Sequence, residues 1–220
     1  MRVVFENFAA RLGRWIVEGD REAVHQLRIA CRKVEAVLRL FPKRRRRGVE
    51  KVVKGLRRRC GVVRDEQLLS GAASEAAEQE LAGYVKRHLG DFRWRVKRLA
   101  RPKAGRVARR LEKLGRQCED LGQQVLQRRP RVEAVHELRI VLKRMRYTVE
   151  AVYGLEDVEE VGALAPLVPA QKLLGAFMDG VLRGKPDWRA LAEFRRLWRQ
   201  GLAERVGEFV GVVVKVSGKS

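Results

Sequence analysis

The sequence predicts an all-α protein, and three observations carry that expectation. Apolar residues recur at steps of three and four, as in Val24, Leu27, Cys31, Val34, Leu38 and Phe41, and again in Val135, Leu138, Leu142, Met145, Val149 and Val152. Alternating β-branched runs bounded by turns are nearly missing, the ambiguous Val212-Val213-Val214 apart. The segments between break signals are long and their connections short, which favours antiparallel helical neighbours. Breaks fall at Gly19-Asp20, Phe41-Pro42, Gly61, Arg101-Pro102, Arg129-Pro130, Tyr153-Gly154 and Lys185-Pro186. They divide the chain into roughly eight helices, at about 1–18, 21–41, 44–60, 64–100, 103–128, 131–153, 160–183 and 187–215.

Composition narrows the function. The 220 residues are 45% apolar, with Leu and Val spread along the whole length, so disordered, collagenous and disulfide-stapled classes are excluded. Thirty-six Arg and 13 Lys face 27 acids, for a net charge of +22. A neutral adaptor or an enzyme for acidic substrates needs no such field, whereas a polyanion or an anionic membrane surface would explain it. The charge is concentrated: residues 1–110 hold 30 basic and 12 acidic side chains, and residues 111–220 hold 19 and 15. The densest run is Lys43-Arg44-Arg45-Arg46-Arg47, which reads equally as a solvated helix start and as part of an anion surface. Three cysteines, Cys31, Cys60 and Cys118, form no CxxC pair and read as reduced buried thiols. No signal-peptide core follows Arg2, and the longest apolar stretch, Phe209 to Val214, is too short to span a bilayer, so a cytoplasmic location is expected.

One duplication organises the chain. Val24-His25-Gln26-Leu27-Arg28-Ile29 recurs as Val135-His136-Glu137-Leu138-Arg139-Ile140, Arg32-Lys33 recurs as Lys143-Arg144, and Gly61 with Asp65 recurs as Gly175 with Asp179. Two of the protein's 3 histidines stand at matching places in the two copies. The expected organisation is two halves of four helices, 1–101 and 102–220, packed against each other.

On a helix, His25, Arg28, Arg32 and Arg39 fall within about 60° of one another, away from the apolar stripe. His136, Arg139, Lys143 and Arg146, with Tyr147 beside them, form the equivalent strip. A third strip holds Lys51, Lys54 and Arg58, flanked by Arg47, Arg57 and Arg64, with almost no interleaved acid. Like charges at such spacing repel by a few tenths of a kcal/mol each, so stability does not favour them and an anion-binding surface does.

These residues carry a resemblance. The repeated V-H-x-L-R-I with its basic pairs resembles the CHAD family (conserved histidine α-helical domain). Leu56-Arg57-Arg58-Arg59-Cys60-Gly61-Val62-Val63-Arg64-Asp65 looks like the family's L-G-x-x-R-D segment, and Gln171-Lys172-Leu173-Leu174-Gly175-Ala176-Phe177-Met178-Asp179 is its second copy. The resemblance implies two four-helix bundles related by pseudo-twofold symmetry, with a basic central groove that binds inorganic polyphosphate. It also implies, in some bacteria, association with polyphosphate granules. It places Lys172 with Arg58 and Arg64 among the binding residues. Two departures stand out: Glu35 stands where the second copy has Arg146, and Met178 replaces the counterpart of Arg64.

Polyphosphate offers charge and no base edges, so spaced guanidinium forks suit it better than aromatic platforms. The two histidines have two roles open to them, a neutral bridge between helices or a donor to a phosphate oxygen. Neither metal nor cofactor is expected, since His136-Glu137 begins no HExxH and no His or Cys lies one turn from either motif histidine. His88 reads as a surface residue. Gly61 and Gly175 read as helix stops, with Asp65 and Asp179 near the following helix starts. Glu156-Asp157-Val158-Glu159-Glu160 reads as a helix cap or as a screen for one end of the groove.

Nucleic acid is the alternative partner, because any basic groove draws DNA or RNA at low salt. Aromatics are only 6%, however, and Trp15, Trp94, Trp188, Phe194 and Trp198 sit at spacings suited to a core. CHAD domains are sometimes fused to triphosphate-tunnel domains with ExExK motifs, but this chain has none, so a non-catalytic role is expected. For the C-terminal helix both packing on the bundle and a dimer contact remain open.

Overall fold

The computed structural model describes residues 4–6, 8–10, 12, 21–99, 102–153 and 165–217. Among them every regular element is helical and no strand occurs. The chain forms two compact units, Met1–Pro102 and Lys103–Ser220. No helix among the described residues is long and apolar enough to cross a membrane. The acidic segment at 156–160, Trp15 and most of the expected first helix lie outside the described residues.

The first unit is built on α1 (Arg21–Leu38), α2 (Lys43–Ser70) and α3 (Glu75–Lys97), with helical residues ahead of them. The stripe read from the sequence is the face that α1 buries: Val24, Leu27, Cys31, Val34 and Leu38 are all sealed from solvent. α1 packs on α2, and α2 on α3. Val4, Phe8 and Leu12, one turn apart, are buried too, with Phe8 4.8 Å from the Phe92 ring of α3. Tyr84 of α3 donates its hydroxyl to the Val52 carbonyl at 3.1 Å, and lies so close to Gly55 that any side chain there would collide with it.

The expected break at Gly61 does not occur. α2 runs through it to Ser70, because nothing crowds Gly61 and its backbone is helical. A helix-interior glycine costs about 1 kcal/mol relative to Ala but does not by itself turn the chain. The turn comes at Gly71, which has φ of 82°, and α3 then starts at Ser74, whose hydroxyl accepts from Ala77 N–H. Gly175 likewise lies inside a helix, so neither Asp65 nor Asp179 begins one.

The second unit holds α4 (Ala104–Leu126), α5 (Val132–Tyr153), α6 (Leu167–Leu182), α7 (Trp188–Leu197) and α8 (Ala203–Ser217). α4 packs on α5 and α8, α5 on α6, and α6 on α7. Val135, Leu138, Leu142, Met145 and Val149 make the buried face of α5. The single C-terminal helix expected over 187–215 is broken between α7 and α8 by a wide turn at Trp198–Leu202, where Gly201 has φ of 95°. Leu191, Phe194, Trp198 and Leu202 are buried within this unit, and the Trp198 ring fills the space over Gly122 of α4. Trp94 and Trp188 correct the expectation of buried aromatics, each being 54% exposed. His88, expected at the surface, is half-buried, with its ring 4.3 Å from that of Tyr84.

Candidate polyanion-binding surfaces

In the first unit the cationic residues are placed by the register of α1 against α2. Ion pairs join Arg39 to Glu50, Glu35 to Arg57 and Arg28 to Asp65, so rising positions on one helix meet falling positions on the other. That antiparallel register brings Arg64 of α2 to His25 of α1. His25 is half-buried, and burial first, then Arg64, Arg28 and Arg32, holds its pKa below the ordinary 6.5, against an opposing pull from Glu22. The imidazole is therefore neutral near pH 7 and sits within a ring of guanidinium groups.

Arg28 reaches Asp65 only loosely, at 3.9 Å, with the carboxylate 67% exposed, and its Nε is buried without a hydrogen-bond partner. A pair this open and this long contributes little. The exposed part of its guanidinium is thus only weakly engaged. Arg32 and Arg64 are half-buried, while Lys51 and Arg58 are exposed on α2.

The α1–α2 turn corrects the expectation of a strip without acids. Glu50 gathers three cations, with Lys54 Nζ at 3.0 Å, Arg46 Nε at 3.3 Å and Arg39 Nη2 at 3.7 Å. Burial pushes the Glu50 pKa up, but Lys54, Arg46 and Arg39 together carry it below the usual carboxylate range. Glu35 pairs with Arg57 at 3.0 Å. Lys54 and Arg39 are thus exposed but already neutralised in part. Ahead of them Lys43, Arg44, Arg45 and Arg47 stand exposed on the first turn of α2, which has no acid and no side-chain cap. Four cations at the positive end of a helix repel it, and an anion there would relieve them.

In the second unit His136 is exposed, and Arg139 and Lys143 are half-buried. Arg139 lies against Gly175 of α6: a Cβ there would meet its Nε at 3.3 Å and its Nη2 at 3.4 Å. Its Nε is buried without a hydrogen-bond partner. Lys172, one turn earlier on α6, is exposed. Met178, in the place of Arg64, adds no charge.

Two members of the predicted strip are corrected. Tyr147 is 5% exposed, because its position on α5 is covered by packing, and the Arg146 guanidinium lies 5.1 Å over its ring. Arg146 is turned inward, its Nε 3.2 Å from the buried carboxylate of Glu150. The sequence reading also missed Gly175 as the seat of Arg139, which no local signal announces, and the Glu50 cluster, of which only the i,i+4 partners Arg46 and Lys54 were legible.

The three cysteines are buried free thiols, with Cys31 hydrogen-bonded to Cys60 between α1 and α2. Burial pushes the Cys118 thiol up to about 12 and raises that of Cys31, so neither forms a thiolate near neutral pH.

No curated protein and no solved structure matches the chain. The model of one family, the CHAD domain, matches residues 2–185, which run from the N-terminal helical segment to the end of α6 and include both histidine motifs. The chain belongs to the CHAD domain family.

Proposed function

We propose that this CHAD-domain chain binds inorganic polyphosphate without catalysing its hydrolysis, through the surfaces of α1 and α2 in one unit and of α5 and α6 in the other. Each surface is read as a contact for phosphate groups within its own unit. The observation that carries the proposal is the convergence of His25, Arg28, Arg32 and Arg64 from two helices, with Arg28 held only loosely by Asp65. Polyphosphate repeats its charge along the chain, and hydrogen bonds to charged acceptors contribute about 1.5–3 kcal/mol each, so a handful of such contacts suffices for tight binding. Two carboxylates of this face, Glu35 and Glu50, are paired with Arg or Lys at about 3.0 Å, an arrangement that supports binding over metal-assisted phosphoryl transfer. No phosphate release from polyphosphate with Mg²⁺ or Mn²⁺ is expected, and turnover above the buffer background would refute the non-catalytic part.

A nucleic-acid backbone is the second reading. It is supported by Trp94, which stands exposed with the Arg98 guanidinium 4.4 Å over its ring, a stacking pair of the kind that holds single-stranded bases. Competition separates the two. Long-chain polyphosphate should displace labelled RNA at a far lower phosphate concentration than RNA needs to displace polyphosphate, and the reverse order would favour RNA.

A further inference from the structure

The connection between α6 and α7 is a tight tip closed by backbone hydrogen bonds. Lys185 N–H donates to the Gly180 carbonyl at 2.8 Å, Gly184 N–H to Val181 at 3.0 Å and Arg183 N–H to Gly180 at 3.1 Å. Gly184 takes a left-handed φ of 70°. Gly180 leaves no room for a side chain, since a Cβ would lie 2.5 Å from the Lys185 carbonyl oxygen. Asp187 then caps α7 by accepting from Ala190 N–H at 3.0 Å.

This tip holds two large apolar side chains in water. Leu182 is 83% exposed and Trp188 54%, with the indole edge-on to the Phe177 ring at 5.4 Å. Arg183, Lys185 and Arg189 stand exposed around them; of the acids nearby, Asp187 has its carboxylate engaged as the α7 cap, and Asp179 is exposed one turn before Arg183, whose Nε donates to its carbonyl at 3.1 Å. The fold gains nothing from presenting Leu and Trp this way. A Leu–Trp pair ringed by cations matches the headgroup and acyl boundary of an anionic bilayer, where indoles are favoured and basic groups meet lipid phosphates.

We propose that the α6–α7 tip is a docking surface for an anionic lipid bilayer, with Leu182 and Trp188 entering the interface and Arg183, Lys185 and Arg189 on its phosphates. Charge complementarity selects this occupant, as the first unit illustrates. The α2–α3 turn exposes Leu69 to 88%, but its neighbours in sequence are Asp65, Glu66, Glu75 and Glu78, which an anionic surface repels. The tip shares no residue with the proposed polyphosphate surfaces, so the two proposals stand or fall separately.

The test is co-sedimentation of the full chain with phosphatidylcholine vesicles containing about 30% phosphatidylglycerol at about 0.15 M salt. Leu182→Ser and Trp188→Ser should each weaken binding about fivefold or more, while Leu69→Ser leaves it unchanged. Brominated acyl chains should quench tryptophan emission in the parent and not in Trp188→Phe. Thermal melts and circular dichroism of the same samples check that the variants are folded. Equal binding of the parent and Leu182→Ser would mean adsorption by net charge alone, and no binding of the parent would exclude the bilayer; either result overturns the proposal.

Discussion

Replacing Gly175 with Ala should make the protein more stable and a poorer ligand for polyphosphate at the same time. Gly175 lies inside α6, where Ala is the better helix former by about 1 kcal/mol, so an increase in melting temperature of about 2–4 °C is the upper expectation. The new Cβ would stand 3.3 Å from Arg139 Nε and 3.4 Å from Nη2, closer than relaxed packing allows. The guanidinium is the flexible party and shifts by a few tenths of an ångström, which leaves its charge in place and alters its aim. Arg139→Ala removes the group altogether. A charge-assisted contact of about 1.5–3 kcal/mol, discounted for the half-open position of the side chain, leaves about 1–2 kcal/mol, or roughly 5- to 30-fold in Kd. Gly175→Ala should lose less, about 2- to 5-fold, because only geometry changes. Calorimetric titration with long-chain polyphosphate, paired with a thermal melt, reads both effects. If Arg139→Ala binds as the parent does, or if Arg109→Ala, away from these surfaces, loses as much, the reasoning fails: the anion then feels a diffuse field and not a seated guanidinium.

Four further outcomes follow from other contacts. Glu50→Gln should tighten polyphosphate binding about twofold by releasing Arg39, Arg46 and Lys54, and Glu75→Gln, which removes the same charge at a distance, should do less; equal gains in a titration would assign the effect to net charge. His25 is neutral in the free protein and a bound polyanion favours its imidazolium, so affinity should rise as pH falls from about 8 to about 6, and rise less in His25→Gln; a parallel rise in both proteins removes His25 from the site. The same depressed pKa gives stability that is complete above the unfolded value of 6.5 and is lost as pH falls below it, so the parent should lose more melting temperature than His25→Gln on acidification. Gly122→Ala should destabilise the second unit by about 1–3 kcal/mol, since its Cβ would enter the Trp198 ring; an unchanged melt would contradict that packing.

The helices were legible in the sequence because burial leaves a period. The stripes on α1 and α5 are the faces the structure buries, and Pro42, Pro130 and Pro186 all lie in connections. Glycines misled where a break needs more than the residue type. Gly61 and Gly175 are helical, whereas Gly71, Gly184 and Gly201 turn the chain through positive φ, and nothing local in the sequence separates the two sets. The cationic strips were legible as angles on a helix, but an angle does not say which neighbour covers it. Tyr147 lies only about 20° from His136 by helical projection and is buried all the same. The partners of Arg57 and Arg39, 22 and 11 positions away, depend on the register of α1 against α2, which only packing defines.

The central claim is that the repeated His–Arg surfaces of the two units recognise polyphosphate, and titration at physiological salt with chains of defined length tests it most directly. The parent should bind long chains saturably, with affinity falling linearly against salt on logarithmic axes, and an Arg28→Ala/Arg139→Ala double variant should lose at least about tenfold and show a shallower salt slope. A parent that fails to saturate, or a double variant that binds long chains as tightly as the parent, would contradict it.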